Sequence, residues 1–259
     1  MLSIDCAQMD TQISTFIRDE LLTSGQHKLV IALSGGIDSG VSCALGVHAV
    51  GPENIIVAML PYKALSEEAT RDALQVVEQL RIPAENTVAI DIQPAVDAIV
   101  QQIPDIQDAR RGNIMARVRM IYLYDLAKKS TGLVLGTENK TEYYLGYFTR
   151  FGDEASDLEP IRQLYKTQVR QMGEYLQLPR SILAKAPSAG LWSEQTDEKE
   201  FGFSYADADN VLYYHFDQHV PLDEIEGKSG VPRDVIARVM EWVRANDFKH
   251  HVPRVFGHP

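Results

Sequence analysis

The chain of 259 residues carries 36 acidic against 25 basic side chains, a formal charge of −11 at pH 7; surfaces that bind nucleic acid are basic, so that class is disfavoured. Hydrophobic residues make up 45% and charged residues 24%, ordinary for a soluble globular protein, and no apolar run approaches the roughly 18–20 residues of a membrane span. The opening MLSIDCAQMD has early acids and no basic-then-apolar leader, so a cytoplasmic location is the expectation. Cys6 and Cys43 form no CxxC pair and read as reduced structural thiols.

In residues 4–22, Ile4, Met9, Ile13, Phe16, Ile17 and Leu21 fall largely on one face, which predicts an amphipathic helix ended by Ser24-Gly25. Residues 29–33, LVIAL, have the length and composition of a buried strand. After Ser34-Gly35-Gly36, the residues Val41, Ala44, Leu45 and His48 recur at helical spacing until Gly51-Pro52 breaks the chain. Residues 54–60 predict a second strand, 66–80 a helix, 86–92 a third strand, and 94–103 a short helix. Residues 113–129 predict the next helix and 132–136 a fourth strand. This alternation predicts right-handed βαβ units, an α/β fold with a Rossmann-like parallel sheet sandwiched by helices. Beyond Leu145 the pattern changes to a turn-rich stretch, helices at 165–176, 179–183, 205–219 and 231–245, and an irregular basic tail. The aperiodic stretch 185–199 reads as a mobile flap, because structureless loops of this length are usually functional. Without repeats or low-complexity linkers, one domain over 1–259 with a helical C-terminal portion is the expectation.

The turn at 34–36 lies between a strand and a helix N-terminus, where backbone N–H groups and the macrodipole favour an anion. Gly35 and Gly36 remove the Cβ atoms that would hold a phosphate away, and Ser34 and Ser39 add hydroxyl donors. Asp38 would repel that phosphate unless a divalent cation lay between them. The loop has no Walker-type lysine and too few glycines for a dinucleotide fingerprint. Glu142, after the fourth strand, is a second carboxylate for a Mg²⁺ site built from one or two acids, phosphates and waters. Asp91 and residues 136–138 also sit at predicted strand ends facing the turn. Lys166 follows a turn and suits phosphate neutralisation. Arg117 and Arg119, near a predicted helix start, carry planar donor forks for phosphate or carboxylate. Arg150, Asp153 and Asp157 form a polar cluster suited to ribose hydroxyls or an amide. The seven histidines show no metal-ligand spacing, so zinc is not expected.

SGGIDS (34–39) resembles the pyrophosphate loop of the ATP pyrophosphatase superfamily. Together with GNIMARVRM (112–120), LGTENKTEYYLGYFTRFGD (135–153), LYKTQVR (164–170), KAPSAGL (185–191), QTDEKEFGFSY (195–205) and KHHVP (249–253), it makes the chain similar to ammonia-dependent NAD synthetases over residues 34–253. The resemblance implies ATP contacts from Ala32, Leu33, Ser34, Gly35, Gly36, Ile37, Asp38, Ser39, Thr137, Lys166 and Ser188, with Asp38 and Lys166 catalytic. It implies Mg²⁺ at Asp38 and Glu142, and deamido-NAD at Arg117, Arg150, Asp157, Phe248 and Lys249. At three of these positions the residue departs from the commoner family choice: Arg150 for Lys, Ser188 for Thr, and Phe248 for His. A homodimer is implied as well, with Tyr122, Tyr124, Tyr143 and Tyr144 equally compatible with an interface or a core.

The chemistry so implied has two steps. The nicotinate carboxylate of deamido-NAD attacks the α-phosphate of ATP and releases pyrophosphate; ammonia then displaces AMP to give NAD. The 185–199 flap is the candidate lid excluding water from the acyl-adenylate. A fused glutaminase has no room in 259 residues, which leaves free ammonia as the expected donor. Two alternatives are another ATP pyrophosphatase that adenylates a purine, citrulline or tRNA base, and a non-catalytic nucleotide-sensing module.

Overall fold

The computed structural model describes residues 2–62, 67–188, 196–251, 253 and 256–257. Helix α1 (Cys6–Ser24) is capped by the Asp5 side chain and ends at Gly25 in the left-handed region. It leads into β1 (Lys28–Ala32), α2 (Ile37–Val50), β2 (Ile55–Met59), α3 (Glu67–Gln79), β3 (Thr87–Ala89), α4 (Gln93–Val100), α5 (Asp108–Ser130) and β4 (Gly132–Val134). The four strands form one parallel sheet in the order β3-β2-β1-β4. The expected α/β architecture is therefore present.

Successive side chains of β1 point to opposite faces, and each face has its own core. Leu29 and Ile31 join Ile55 and Val57 beneath α1, α2 and α3. Val30 joins Ala58 and Val134 beneath α4 and α5, with Val96, Met115, Val118 and Leu126. Burial on both faces explains why LVIAL reads as a continuous apolar run rather than an alternating one.

After β4 come α6 (Lys140–Leu145), α7 (Lys166–Tyr175), α8 (Arg180–Ala184), α9 (Asp197–Phe201), α10 (Tyr205–Leu212), α11 (Ile225–Ser229) and α12 (Arg233–Asn246). A π-helical turn over Tyr213–Asp217 extends α10, and a 3₁₀ turn over Asp247–His250 follows α12. A third core, with Leu145, Tyr165, Phe201, Tyr205, Val211 and Val239, holds this helical part together.

Several boundaries differ from the sequence expectation. Helix α5 starts at Asp108 rather than 113, so Arg117 and Arg119 sit in its third and fourth turns rather than near its start. Helices α6 and α11 are additional; at six and five residues they are too short to impose a readable period. The 185–199 stretch is not one open loop: Asp197–Phe201 is helical, while 189–195 lie outside the described residues. Asp91 is exposed and does not join Ser34, Gly35 and Gly36 in lining the crevice; its carboxylate accepts the Gln93 N–H at 2.9 Å at the start of α4. No described helix is long and apolar enough to cross a membrane.

Candidate active site

Strand β1 is the point where the chain changes direction across the sheet, with β2 on one side and β4 on the other. In open parallel sheets the crevice beyond the carboxyl ends of two such strands is where ligands bind. Here it is a cavity of about 760 Å³, lined by Ser34, Gly35 and Asp38 after β1 and by Thr137 and Glu142 after β4, with Lys166 behind them.

The turn after β1 is held by its own hydroxyls. Ser39 Oγ donates to the Gly36 carbonyl at 3.0 Å, accepts the Ser34 N–H at 3.2 Å, and lies 3.0 Å from Ser34 Oγ. Ser39 is thus a brace and is buried, while Ala32, Leu33, Ser34, Gly35, Gly36, Ile37 and Asp38 reach the cavity wall. Gly35 has φ +76°, and a Cβ there would lie 2.3 Å from the Ala69 carbonyl oxygen of α3. Only glycine fits both conditions.

Asp38 enters on the first turn of α2, Glu142 on that of α6, and Lys166 opens α7. Lys166 Nζ donates to Asp38 Oδ2 at 2.6 Å and to Glu142 Oε1 at 2.9 Å, with only 3% of the lysine exposed. Burial by itself lowers the Lys166 pKa, but Asp38 and Glu142 outweigh it and the amine is held protonated. Burial pushes the Glu142 carboxyl up to about 7, against Lys166 and with help from Asp38.

Asn139, which the sequence reading passed over, organises the two acids. It is fully buried; its Nδ2 donates to Asp38 Oδ1 at 2.9 Å and its Oδ1 accepts the Glu142 N–H at 3.0 Å. With the Glu142 carboxylate turned back to the Asn139 N–H, this is a capping box. The signal was legible: Asn-x-x-Glu is the pattern such a cap needs. Asp197 is also buried in the cavity wall, taking hydrogen bonds from Tyr147 Oη at 3.2 Å and Tyr205 Oη at 2.9 Å. Its approach is tertiary, and no local pattern marks it.

The two carboxylates fit a magnesium ion in chemistry. Both aim an oxygen at one cationic point, which the Lys166 ammonium holds here. The donors are oxygens only, as hard divalent cations prefer. Among the described residues no group of three His, Cys, Asp or Glu side chains forms a metal site, so phosphates and waters would complete the shell.

The remaining predicted residues separate into two groups. Thr137, Ser188 and Lys249 line the cavity with the phosphate loop. Arg117, Arg150, Asp157 and Phe248 lie outside its wall but beside one another in part. Arg117 Nε donates to the Arg150 carbonyl at 3.3 Å, and the Arg150 guanidinium sits 5.1 Å from the Phe248 ring. Two departures from the commoner family pattern thus meet in one cation–π contact. Lys249 Nζ donates to the carbonyls of Gly146 at 2.6 Å and Phe148 at 3.0 Å, docking the C-terminal turn on the loop after α6. Asp157 Oδ2 accepts the Val134 N–H at 2.7 Å at the end of β4. Arg119 is oriented into the cavity from α5, its Nε donating to the Leu60 carbonyl at 3.1 Å.

Known proteins are similar to this chain in sequence and fold. A profile of the NAD synthase family matches residues 9–253. The chain belongs to the NAD synthase family. It is 43% identical over 252 residues to an NH(3)-dependent NAD(+) synthetase of Chlorobium phaeovibrioides, covering 97% of this chain and 90% of the relative. Among solved structures it is similar to an NMN synthetase from Francisella tularensis, with TM-score 0.86, 34% identity, and 99% and 100% of the two chains covered. It is also similar to an NH3-dependent NAD synthetase from Campylobacter jejuni solved with nitrate, with TM-score 0.82, 28% identity, and 98% and 100% covered.

Of the four tyrosines left between core and interface, Tyr122 and Tyr124 pack against the α5 core, Tyr144 stacks on Phe216 at 4.3 Å, and Tyr143 meets His250 at 4.4 Å. All four are half-buried within this chain.

Proposed function

We propose that this chain joins ammonia to the nicotinate carboxylate of deamido-NAD at the expense of ATP, forming NAD, AMP and pyrophosphate. The observation that carries the reading is the buried Lys166 ammonium held between Asp38 and Glu142 beside the SGGIDS turn. In the first step a carboxylate oxygen attacks the α-phosphorus, and the bond to the bridging oxygen of pyrophosphate breaks. In the second the ammonia nitrogen attacks the carbonyl carbon, one proton leaves the nitrogen, and AMP departs with the carboxylate oxygen.

The first step brings two anions together, so cations and oriented dipoles must meet the charge as it develops. The N–H groups at the start of α2 receive the pyrophosphate, and Lys166 neutralises the phosphate oxygens. Mg²⁺, held by Asp38 and Glu142, supplies further charge neutralisation when bound. Thr137 and Ser188 contact ATP, while Arg117, Arg150, Asp157, Phe248 and Lys249 contact deamido-NAD. The nitrogen donor is free ammonia rather than glutamine, on a single synthetase domain spanning 1–259.

A homodimer belongs to the same reading. Arg117 and Ile121 are one turn apart on α5, and Ile121 and Phe151 are 59% and 57% exposed. A partner helix there would cover apolar surface directly beside the substrate arginines. Sedimentation is expected to give twice the chain mass, and Ile121→Glu to shift it toward monomer.

The deciding experiment incubates the purified chain with ATP, Mg²⁺ and ammonium, offering deamido-NAD or nicotinate mononucleotide. The mononucleotide arm is included because the Francisella relative is an NMN synthetase. NAD and AMP are expected in equal amounts from deamido-NAD, with little product from the mononucleotide or from glutamine. Preference for the mononucleotide would overturn the substrate assignment, and pyrophosphate release without either acceptor would overturn the reaction.

A further inference from the structure

Asp209 lies on α10, in the helical C-terminal portion, and is 1% exposed. Both of its carboxylate oxygens are used. Thr141 Oγ donates to Oδ1 at 2.5 Å, and the Thr167 N–H donates to Oδ2 at 2.8 Å. Thr141 Oγ in turn accepts the Lys166 N–H at 2.9 Å.

The placement of these partners matters more than their number. Thr141 precedes Glu142 in the first turn of α6, and Thr167 follows Lys166 in the first turn of α7. One buried carboxylate therefore ties together the opening turns of the two helices that carry Glu142 and Lys166. It satisfies one helix-start N–H of α7, that of Thr167, which has no partner within the helix, while Thr141 Oγ takes the Lys166 N–H; the positive ends of both helices favour its charge. Tyr205 stands one turn earlier on the same face of α10, its ring 5.0 Å from Lys166 Nζ. Helix α10 thus fixes Lys166 at both ends, its backbone through Asp209 and its ammonium through Tyr205.

We infer that Asp209 is a positioning residue for the adenylation step, acting through Thr141 to set the separation of the Lys166 ammonium from the Glu142 carboxylate. This rests on the amidation reading above. The buried threonine hydroxyl is the coupling piece: it is at once a donor to Asp209 and an acceptor from Lys166, which neither valine nor alanine can be. Displacements of about 1 Å at such a site cost on the order of 100-fold in rate, whereas the substrate surfaces beyond α5 do not depend on this junction.

The test uses the full chain with Asp209→Asn, Thr141→Val, Thr141→Ser and the Asp209→Asn/Thr141→Val double variant. Measurements are kcat and KM for NAD formation, ATP–pyrophosphate exchange, and the folded fraction by circular dichroism. Asp209→Asn and Thr141→Val are expected to lower kcat and exchange together by about 10- to 100-fold, with KM for deamido-NAD changed less than about threefold. The double variant should lose little more than either single one, since all act on one chain of hydrogen bonds. Thr141→Ser, which keeps the hydroxyl, should recover most of the rate lost in Thr141→Val. If Asp209→Asn does not fold, the near-isosteric Thr141 pair decides alone. Wild-type kcat in Asp209→Asn or Thr141→Val would overturn the assignment. So would a loss explained by the folded fraction, or equal losses in Thr141→Ser and Thr141→Val. Failure of the unmodified chain to make NAD would instead overturn the function proposed above.

Discussion

At the scale of single residues, the site is a balance between one buried cation and two acids. Lys166→Met would leave Asp38 and Glu142 facing each other without the cation between them, and removing one partner of a buried ion pair costs about 3–5 kcal/mol. The expected result is a large drop in thermal stability and loss of pyrophosphate exchange. Unchanged melting would show that the triad is not bearing charge in the folded protein. A second acid nearby makes a different prediction. Burial raises Glu138 to about 8, Arg162 opposing and Glu159 adding to the shift. The unfolded value is about 4.3, so between about pH 4.5 and 8 the folded protein holds a proton that the unfolded chain has released. The stability tied to this group is complete below that window and is lost as the pH rises through it. Glu138→Gln, which cannot ionise, should therefore gain in melting temperature relative to the parent as the pH is raised across that interval. A difference independent of pH would contradict the assigned shift.

At the scale of elements, the chemistry depends on how helices begin. Asn139 caps α6 and holds Asp38 at the same time. Asn139→Ala should cost roughly 0.5–2 kcal/mol, the usual range for a lost N-cap, together with activity. Asn139→Asp keeps the cap oxygen but replaces the donor to Asp38 with a third carboxylate at a fully buried position, so melting temperature and rate should both fall, more steeply as the pH rises. Equal rates in Asn139→Asp and the parent would mean that the contact with Asp38 is incidental. Gly35→Ala tests the turn itself. Its methyl would meet the Ala69 carbonyl at 2.3 Å, and the left-handed backbone adds about 1–2 kcal/mol for any other residue. The expected readout is a rise of more than about tenfold in KM for ATP, given that misplacing a binding group by about 1 Å costs on that order or more. Long periodic helices such as α1 and α12 could be read from the sequence because each lays a stripe on a core. The six-residue α6 could not, although it carries Glu142. Its apolar pattern is under two turns long, and the cap at Asn139 was its only local mark.

At the scale of the whole molecule, three cores frame the crevice at the carboxyl ends of β1 and β4. The sheet has its two faces covered, and the C-terminal helices build a separate core against the open end. Ligands entering that crevice touch the loop after β1, the loop after β4, and the start of α7 together, so binding should stabilise the chain globally. Mg-ATP at about 100 times its Kd is expected to add about 2.7 kcal/mol, seen as a higher melting temperature. Chelating the metal, or Asp38→Ala, should remove most of that gain; a full ATP shift in Asp38→Ala would rule out Asp38 as the acid that faces the nucleotide.

Local order was legible in the sequence wherever a physical constraint acts between near neighbours. The buried strand LVIAL, the glycine turn, the alternation of strands with helices, and the hydroxyls and acid grouped at 34–39 all belong to this kind. The resemblance carried by the blocks from 34 to 253 is a separate source, and it is what implied joint roles for Asp38, Glu142 and Lys166. Tertiary structure alone decided how those residues are wired. Lys166 touches Asp38 across 128 positions of chain, Asn139 reaches it across 101, and Asp209 meets Thr141 across 68. Contacts at such separations follow from the strand order β3-β2-β1-β4 and from the docking of α10. Neither leaves a periodic trace in the residues that make them, because a hydrogen bond between distant helix ends constrains only two side chains and not the pattern around them.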